Sequence, residues 1–272
     1  MKAWWYVVLR VAIIGATGYV GGELLRLLLG HPRVEVVGAF SRRFAGEKVY
    51  SVHPNLRGLT SLVFEEFKLE KVSDRADLVF TAVPHGASME IVPGLLDVGV
   101  RVVDLSADFR LKNPEDYKKW YGLEHKAPDL LSEAVYGLPE VYRNRIKNAR
   151  LVANPGCYPT SAILALAPLV KSGLVEQERV VVDSKSGTSG AGSNPSSFTH
   201  HPECGLDVKP YRVVSHRHIP EIEQYLSDLA GKPVKVCFTP HLIPVVRGIL
   251  TTVHVFARGD VPSEQEVYKV YM

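Results

Sequence analysis

The sequence predicts an α/β protein: a doubly wound parallel sheet followed by a second, α+β catalytic or substrate domain. Its 272 residues, at about 150 residues per domain, make roughly two domains. The first half alternates strand-like and helix-like runs with short connections, the pattern of a parallel sheet with helices on both faces. Near residue 150 the alternation gives way to β-rich runs, which places the domains at residues 1–152 and 153–272.

Leu9–Ile14 is a short apolar run and reads as a buried strand. Gly22–Leu29 carries Leu24, Leu25, Leu27, Leu28 and Leu29 and reads as a helix. Val34–Phe40, Leu78–Val83 and Val100–Leu105 are the next strands, with Ile91–Val98 a helix between the last two. Arg150–Ala153 is a strand that runs through Asn154-Pro155-Gly156 into a helix from about Pro159 to Val170. In the second domain Arg179–Lys185, Val234–Thr239 and Ile249–Ala257 are strands and Pro220–Leu229 is a helix. Gly187–Ser197, rich in Ser and Gly, is a loop. Ser263–Met272 reads as the first turns of a helix that stops without a cap.

Composition excludes several classes. An apolar fraction of 46% is too high for a disordered chain. Apolar stretches such as Ala162–Val170 fall far short of the ~20 residues that cross a bilayer. Met1–Arg10 holds Trp4, Trp5 and Tyr6 but no small-residue cleavage site, so it is not read as a signal peptide. A charge of +3, without a long basic run, gives no sign of nucleic-acid binding and suits anionic substrates. Cys157, Cys204 and Cys237 are odd in number and widely spaced, which points away from disulfides and toward a reducing cytoplasm. Six Asn and three Gln make amides scarce, as in thermophile proteins.

Gly15-Ala16-Thr17-Gly18-Tyr19-Val20-Gly21 follows the first strand and opens the first helix. Glycines there permit a tight turn and close backbone approach, and the helix start offers N–H groups to a pyrophosphate. In this strand–turn–helix context the pattern marks a Rossmann-type dinucleotide site, although a glycine-rich turn can also serve packing alone. An NAD site usually places an acid at the end of the second strand. Here that position reads Ser41-Arg42-Arg43, which suits a 2′-phosphate and therefore NADP, unless the arginines are simply a solvated pair.

Cys157, in Asn154-Pro155-Gly156-Cys157-Tyr158-Pro159-Thr160, falls at a helix N-terminus. The helix dipole favours a thiolate there, and the helix-start amides could hold an oxyanion. The ordinary reading of a free cysteine as a small hidden hydrophobe fits Cys237, inside a strand, and extends to Cys204. Either His216 or His218, before the second helix, could act as general acid and base, with Glu221 or Glu223 orienting the ring. His200, His201 and Cys204 match no standard zinc spacing, so no metal is expected.

These segments, with Asp104-Leu105-Ser106-Ala107-Asp108-Phe109-Arg110 and Lys185–Gly192, occur in one order that resembles the N-acetyl-γ-glutamyl-phosphate reductases. His53-Pro54-Asn55-Leu56-Arg57-Gly58 resembles the archaeal and Thermus-type branch, whose members reduce acyl phosphates carried on the small acidic protein LysW in lysine and often arginine biosynthesis. The resemblance implies an NADPH-dependent, cytoplasmic, homo-oligomeric enzyme. In it Cys157 attacks the acyl phosphate, hydride reduces the thioester, and the semialdehyde leaves. It implies His218 as the acid/base residue, Thr17–Val20 and Ser41–Arg43 as cofactor segments, and Arg110, Lys185 and Arg217 as substrate anchors. Lys209, Arg212 and Arg217 could form a basic rim for an acidic carrier. Such relatives continue for roughly seventy or eighty residues more, so a C-terminal return segment is expected to be absent here. An aspartate-semialdehyde dehydrogenase and a non-catalytic NADP sensor are the competing readings.

Overall fold

The computed structural model describes residues 8–272, so Trp4, Trp5 and Tyr6 lie outside the described residues. The chain divides into two compact units, residues 1–117 with 123–154, and residues 118–122 with 155–272.

The first unit runs β1 (Leu9–Ile14), α1 (Tyr19–Leu28), β2 (Val34–Phe40), α2 (Val49–Val52), β3 (Phe64–Glu65), α3 (Leu69–Ser73), β4 (Leu78–Thr81), α4 (Ser88–Asp97) and β5 (Arg101–Asp104). It continues through α5 (Pro114–Tyr121), α6 (Leu130–Glu133), β6 (Val135–Tyr136), α7 (Pro139–Ile146) and β7 (Leu151–Ala153). The second half of α5 is counted with the second unit. The strands form one seven-stranded sheet in the order β3-β2-β1-β4-β5-β7-β6, and every pairing is parallel. Strand order reverses between β1 and β4, and ligands of open α/β sheets bind outside the strand ends at such a point.

Apolar runs become strands here because both sheet faces are covered, so Val11–Ile14 are all buried. Helix α1 buries Leu25 against Ile13, Ala39, Leu56 and Phe64. A Leu25→Ala change would cost roughly 2–5 kcal/mol. The helix starts at Tyr19, earlier than the leucine run suggests, because Gly18 is its N-cap. The short elements between Val49 and Ser73 carry too few periodic residues to be read from sequence.

The second unit contains α8 (Cys157–Ser172), β8 (Val180–Ser186), α9 (His201–Cys204), β9 (Lys209–Pro210), α10 (Ile219–Ala230), β10 (Val236–Leu242), β11 (Ile249–His254) and α11 (Glu264–Tyr271). Its four-stranded sheet has the order β11-β8-β10-β9, with β8 and β10 parallel and the outer pairings antiparallel. Helix α8 is fastened to this sheet by a hydroxyl chain. Ser161 Oγ lies 2.7 Å from Thr251 Oγ1, which lies 2.8 Å from Ser184 Oγ. Gly187–Ser197 is irregular except for a 3-10 turn at Thr188–Ala191 and the start of a second at Ser197–Thr199. Ser263 and Glu266 make a reciprocal capping box at the start of α11.

Candidate functional site

Two helix starts, one in each unit, hold the residues singled out from the sequence. In the first unit the turn from β1 into α1 needs glycine for steric reasons. Gly15 has φ +84°, and a Cβ there would meet the Ala82 carbonyl oxygen at 2.2 Å. A Cβ on Gly21 would lie 2.5 Å from the Gly15 carbonyl oxygen, so helix and turn pack backbone to backbone. Gly18 caps α1 with no side-chain hydrogen bond, and the first turn holds no acidic residue. Tyr19 and Val20 are exposed at its mouth. Uncapped amides, no competing carboxylate and a cramped turn fit a pyrophosphate.

At the end of β2, Ser41 is buried and its Oγ accepts the Phe44 amide at 3.3 Å. Arg42 and Arg43 are exposed, with the Arg43 guanidinium 5.1 Å from the Phe44 ring centroid. No acid stands in Ser41–Arg43, so this strand end fits a phosphate better than a bare ribose hydroxyl pair.

Behind the β4 and β5 ends lies a buried carboxylate network. Asp104 accepts from Thr81 Oγ1 at 2.7 Å, Ser88 Oγ at 2.6 Å and Ser106 Oγ at 2.6 Å. Asp108 accepts the amides of Gly86 at 2.8 Å and Met89 at 3.2 Å, and so caps α4 from a distant loop. Burial, reinforced by the charge of Asp104, raises the Asp108 carboxyl to about 6 despite those amides. Arg110 is buried too, and its guanidinium donates to the carbonyls of Asn154 at 2.7 Å and Leu105 at 2.9 Å. Both of these bonds brace main chain. The sequence marks the segment Asp104–Arg110 but not this division of labour.

In the second unit Cys157 is exposed as the first residue of α8, capped by Gly156. The Gly156 amide donates to Glu221 Oε1 at 2.8 Å, and Glu221 is fully buried in the first turn of α10. This bond ties the two helix starts together. It also narrows the expected oxyanion site, because the Gly156 amide is taken and Pro159 has none. Glu221 thus contacts the turn that leads into Cys157. Glu223 instead accepts from Lys235 Nζ and the Val236 amide, at 2.8 and 3.2 Å, and holds α10 to β10.

Structure separates the two histidines that position alone leaves equivalent. His216 is packed edge-on against Tyr158, Tyr211 and Phe238, and its Nδ1 accepts the His218 amide at 3.1 Å. Burial, helped by the charges of Arg217 and Arg212, pushes it down to about 4. His216 is therefore neutral near pH 7. His218 is the N-cap of α10, with its ring 5.8 Å from that of Tyr158, the neighbour of Cys157. The Tyr158 and Tyr211 hydroxyls lie 2.9 Å apart, and burial raises both phenols. These tyrosines were not singled out from sequence; only the place of Tyr158 beside the cysteine could have drawn attention to it.

Lys185, on β8, is half-buried and donates to the Asp183 carbonyl at 3.3 Å. Arg217 stacks 5.6 Å from the Tyr121 ring centroid. Lys209 lies 3.6 Å from Glu203 and 3.4 Å from Asp207, so the basic rim is narrower than the sequence suggests. Cys204 is buried and donates to the Thr199 carbonyl. Cys237 requires a correction: it is exposed, because the inward positions of β10 are Phe238, Pro240 and Leu242.

Two family models match, the NAD binding domain of semialdehyde dehydrogenase over residues 10–149 and its dimerisation domain over residues 157–272. The chain belongs to the semialdehyde dehydrogenase family of oxidoreductases. Within it, the chain belongs with the reductases of acyl phosphates. It is 56% identical to an N-acetyl-γ-glutamyl-phosphate reductase of Methanopyrus kandleri, over 96% of this chain and 76% of that protein. It is 49% identical to the LysW-L-2-aminoadipate/LysW-L-glutamate phosphate reductase of Saccharolobus solfataricus, over 96% of this chain and 74% of that one. Among solved structures it is similar to aspartate semialdehyde dehydrogenase II of Vibrio cholerae (TM-score 0.70, 19% identity, 97% of this chain and 78% of that one), a likeness of fold alone. No helix among the described residues is long and apolar enough to cross a membrane.

Proposed function

We propose that this chain is an NADPH-dependent reductase that converts a glutamyl or aminoadipyl side-chain phosphate, presented on a LysW-type carrier, into the semialdehyde through a thioester on Cys157. The observation that carries this reading is an exposed thiol at the start of α8, joined through the Gly156–Glu221 bond to the helix that begins at His218.

Cys157 Sγ attacks the acyl carbon, the bond to the phosphate oxygen breaks, and a thioester remains. Lys185 and Arg217 neutralise anionic substrate groups, while Arg110 holds the main chain that leads to Asn154. When bound, the reduced nicotinamide supplies a hydride to the thioester carbon. His218 gives a proton to the resulting oxyanion and takes it back as the C–S bond breaks, which frees the semialdehyde and the Cys157 thiolate. Gly15, Thr17, Gly18, Tyr19, Val20 and Gly21 hold the pyrophosphate, and Ser41, Arg42 and Arg43 hold the 2′-phosphate. The enzyme works as a cytoplasmic homo-oligomer, a reading supported by the match of its second half to a dimerisation domain.

The relative from Methanopyrus kandleri favours a second reading, in which the substrate is free N-acetyl-γ-glutamyl phosphate. Single-turnover reduction with carrier-linked and N-acetylated acyl phosphates decides between them. Faster reduction of the carrier-linked compound is expected; equal or slower reduction would remove the carrier from the account.

A further inference from the structure

His53, in the segment His53–Gly58, reaches the glycine-rich turn between β1 and α1. His53 Nε2 lies 2.8 Å from the Ala16 carbonyl oxygen. A carbonyl can only accept, so Nε2 carries the hydrogen. Ala16 sits inside the glycine-rich turn. Because a trans peptide points its C=O and N–H in opposite directions, anchoring the Ala16 oxygen on His53 turns the Thr17 amide to the opposite side.

The ring is itself held firmly. The His53 amide donates to the Val49 carbonyl at 3.0 Å, and Val49 and Leu56 on either side are fully buried. Phe64 packs edge-on at 6.3 Å. The ring also occupies the space above Gly22, where a Cβ would come within 2.6 Å of His53 Cε1. Gly22 is thus glycine although it lies inside a helix, a position where glycine costs about 1 kcal/mol relative to alanine.

We propose that His53 is a positioning residue of the dinucleotide site: its Nε2–H fixes the Ala16–Thr17 peptide so that the turn is set for pyrophosphate before the nucleotide arrives. The inference rests on the cofactor reading above. Gly22 belongs to the same device, as the gap that lets the imidazole reach the turn.

The test compares His53→Phe, His53→Gln and Gly22→Ala with the parent chain. Phe keeps the ring and loses the donor; Gln keeps a donor. The expected result is NADPH affinity about tenfold weaker in His53→Phe, the fold-change of one lost buried hydrogen bond. His53→Gln should recover most of it. Gly22→Ala should mimic the loss, and combining it with His53→Phe should add little. In the cofactor-free protein, amide exchange at Thr17 and Gly18 should quicken in His53→Phe while thermal unfolding stays put. Parent-like affinity and parent-like exchange in His53→Phe would overturn the inference. So would a loss of affinity that Gln fails to recover and that tracks a fall in thermal stability. If the parent chain itself bound neither NADPH nor NADH, the cofactor reading would fail, and the exchange comparison would still decide the role of His53.

Discussion

The turns that open α1 and α8 begin alike and end differently. Each follows a parallel strand, each is capped by a glycine without a side-chain hydrogen bond, and neither first turn holds an acidic residue. At α1 the glycines clear side chains away, so what is offered is backbone. At α8 the first helical residue is a cysteine, and the cap amide is already given to Glu221. On the proposed reading, the same surplus of amides and the same dipole serve an external anion in one place and an internal thiol in the other. What a helix start does depends on what occupies its first positions.

If that division holds, Cys157→Ser should separate the two. Reduction of the acyl phosphate should fall by on the order of 10⁴-fold or more, since a hydroxyl in place of the thiol is a poor nucleophile here. NADPH binding, followed by fluorescence titration, should stay within about twofold. A variant that lost both would collapse the distinction between the turns.

His218→Asn should cost roughly 10²–10⁴-fold in turnover, the usual worth of a general acid/base, and should flatten the pH–rate profile near neutrality. His216→Asn should leave the shape of that profile intact, because His216 is already neutral there.

At the other turn the effect should be one of selectivity. Replacing Arg42 and Arg43 with Asp should shift the NADPH-to-NADH preference by roughly tenfold to a hundredfold, read from KM for each nucleotide, with little change in Cys157 chemistry.

The smallest effects concern pH and stability, where the two units should respond with opposite sign. His216 is depressed from 6.5 to about 4, so its contribution is complete above pH 6.5 and lost as pH falls toward 4. Asp108 is raised from 3.8 to about 6, so its contribution is complete below pH 3.8 and lost as pH rises toward 6. Each amounts to at most roughly 3 kcal/mol. As pH falls from 6.5 to 4, amide-exchange protection should therefore weaken around α8 and α10 and strengthen around β4 and α4. The substitution Asp108→Asn should remove the opposing trend in the first unit.

The sequence made the sheet strands legible where burial is one-sided in pattern or complete: Leu9–Ile14, Val34–Phe40 and the run at Val180 all lie within a residue of their predicted bounds. It hid the short helices, whose few residues carry no period, and the two-residue strands β3, β6 and β9, which exist through tertiary pairing alone. The helix-start cysteine was legible because Pro-Gly before it and an apolar run after it fix its place. The face of Cys237 was not, since a strand's alternation does not say which side packs. Nor was the ranking of His216 and His218, because it depends on an aromatic cage drawn from residues far apart in the chain. Bonds such as His53 to Ala16 and Gly156 to Glu221 join segments 37 and 65 residues apart, and no local pattern announces them.

The most direct measurement is the mass of the intact protein after mixing with acyl phosphate in the absence of any nicotinamide. The account predicts a single acyl increment, located on Cys157 by peptide mapping, discharged by NADPH as semialdehyde and absent from Cys157→Ala. Turnover without any such adduct in the parent chain, or reduction at the parent rate by Cys157→Ala, would contradict it.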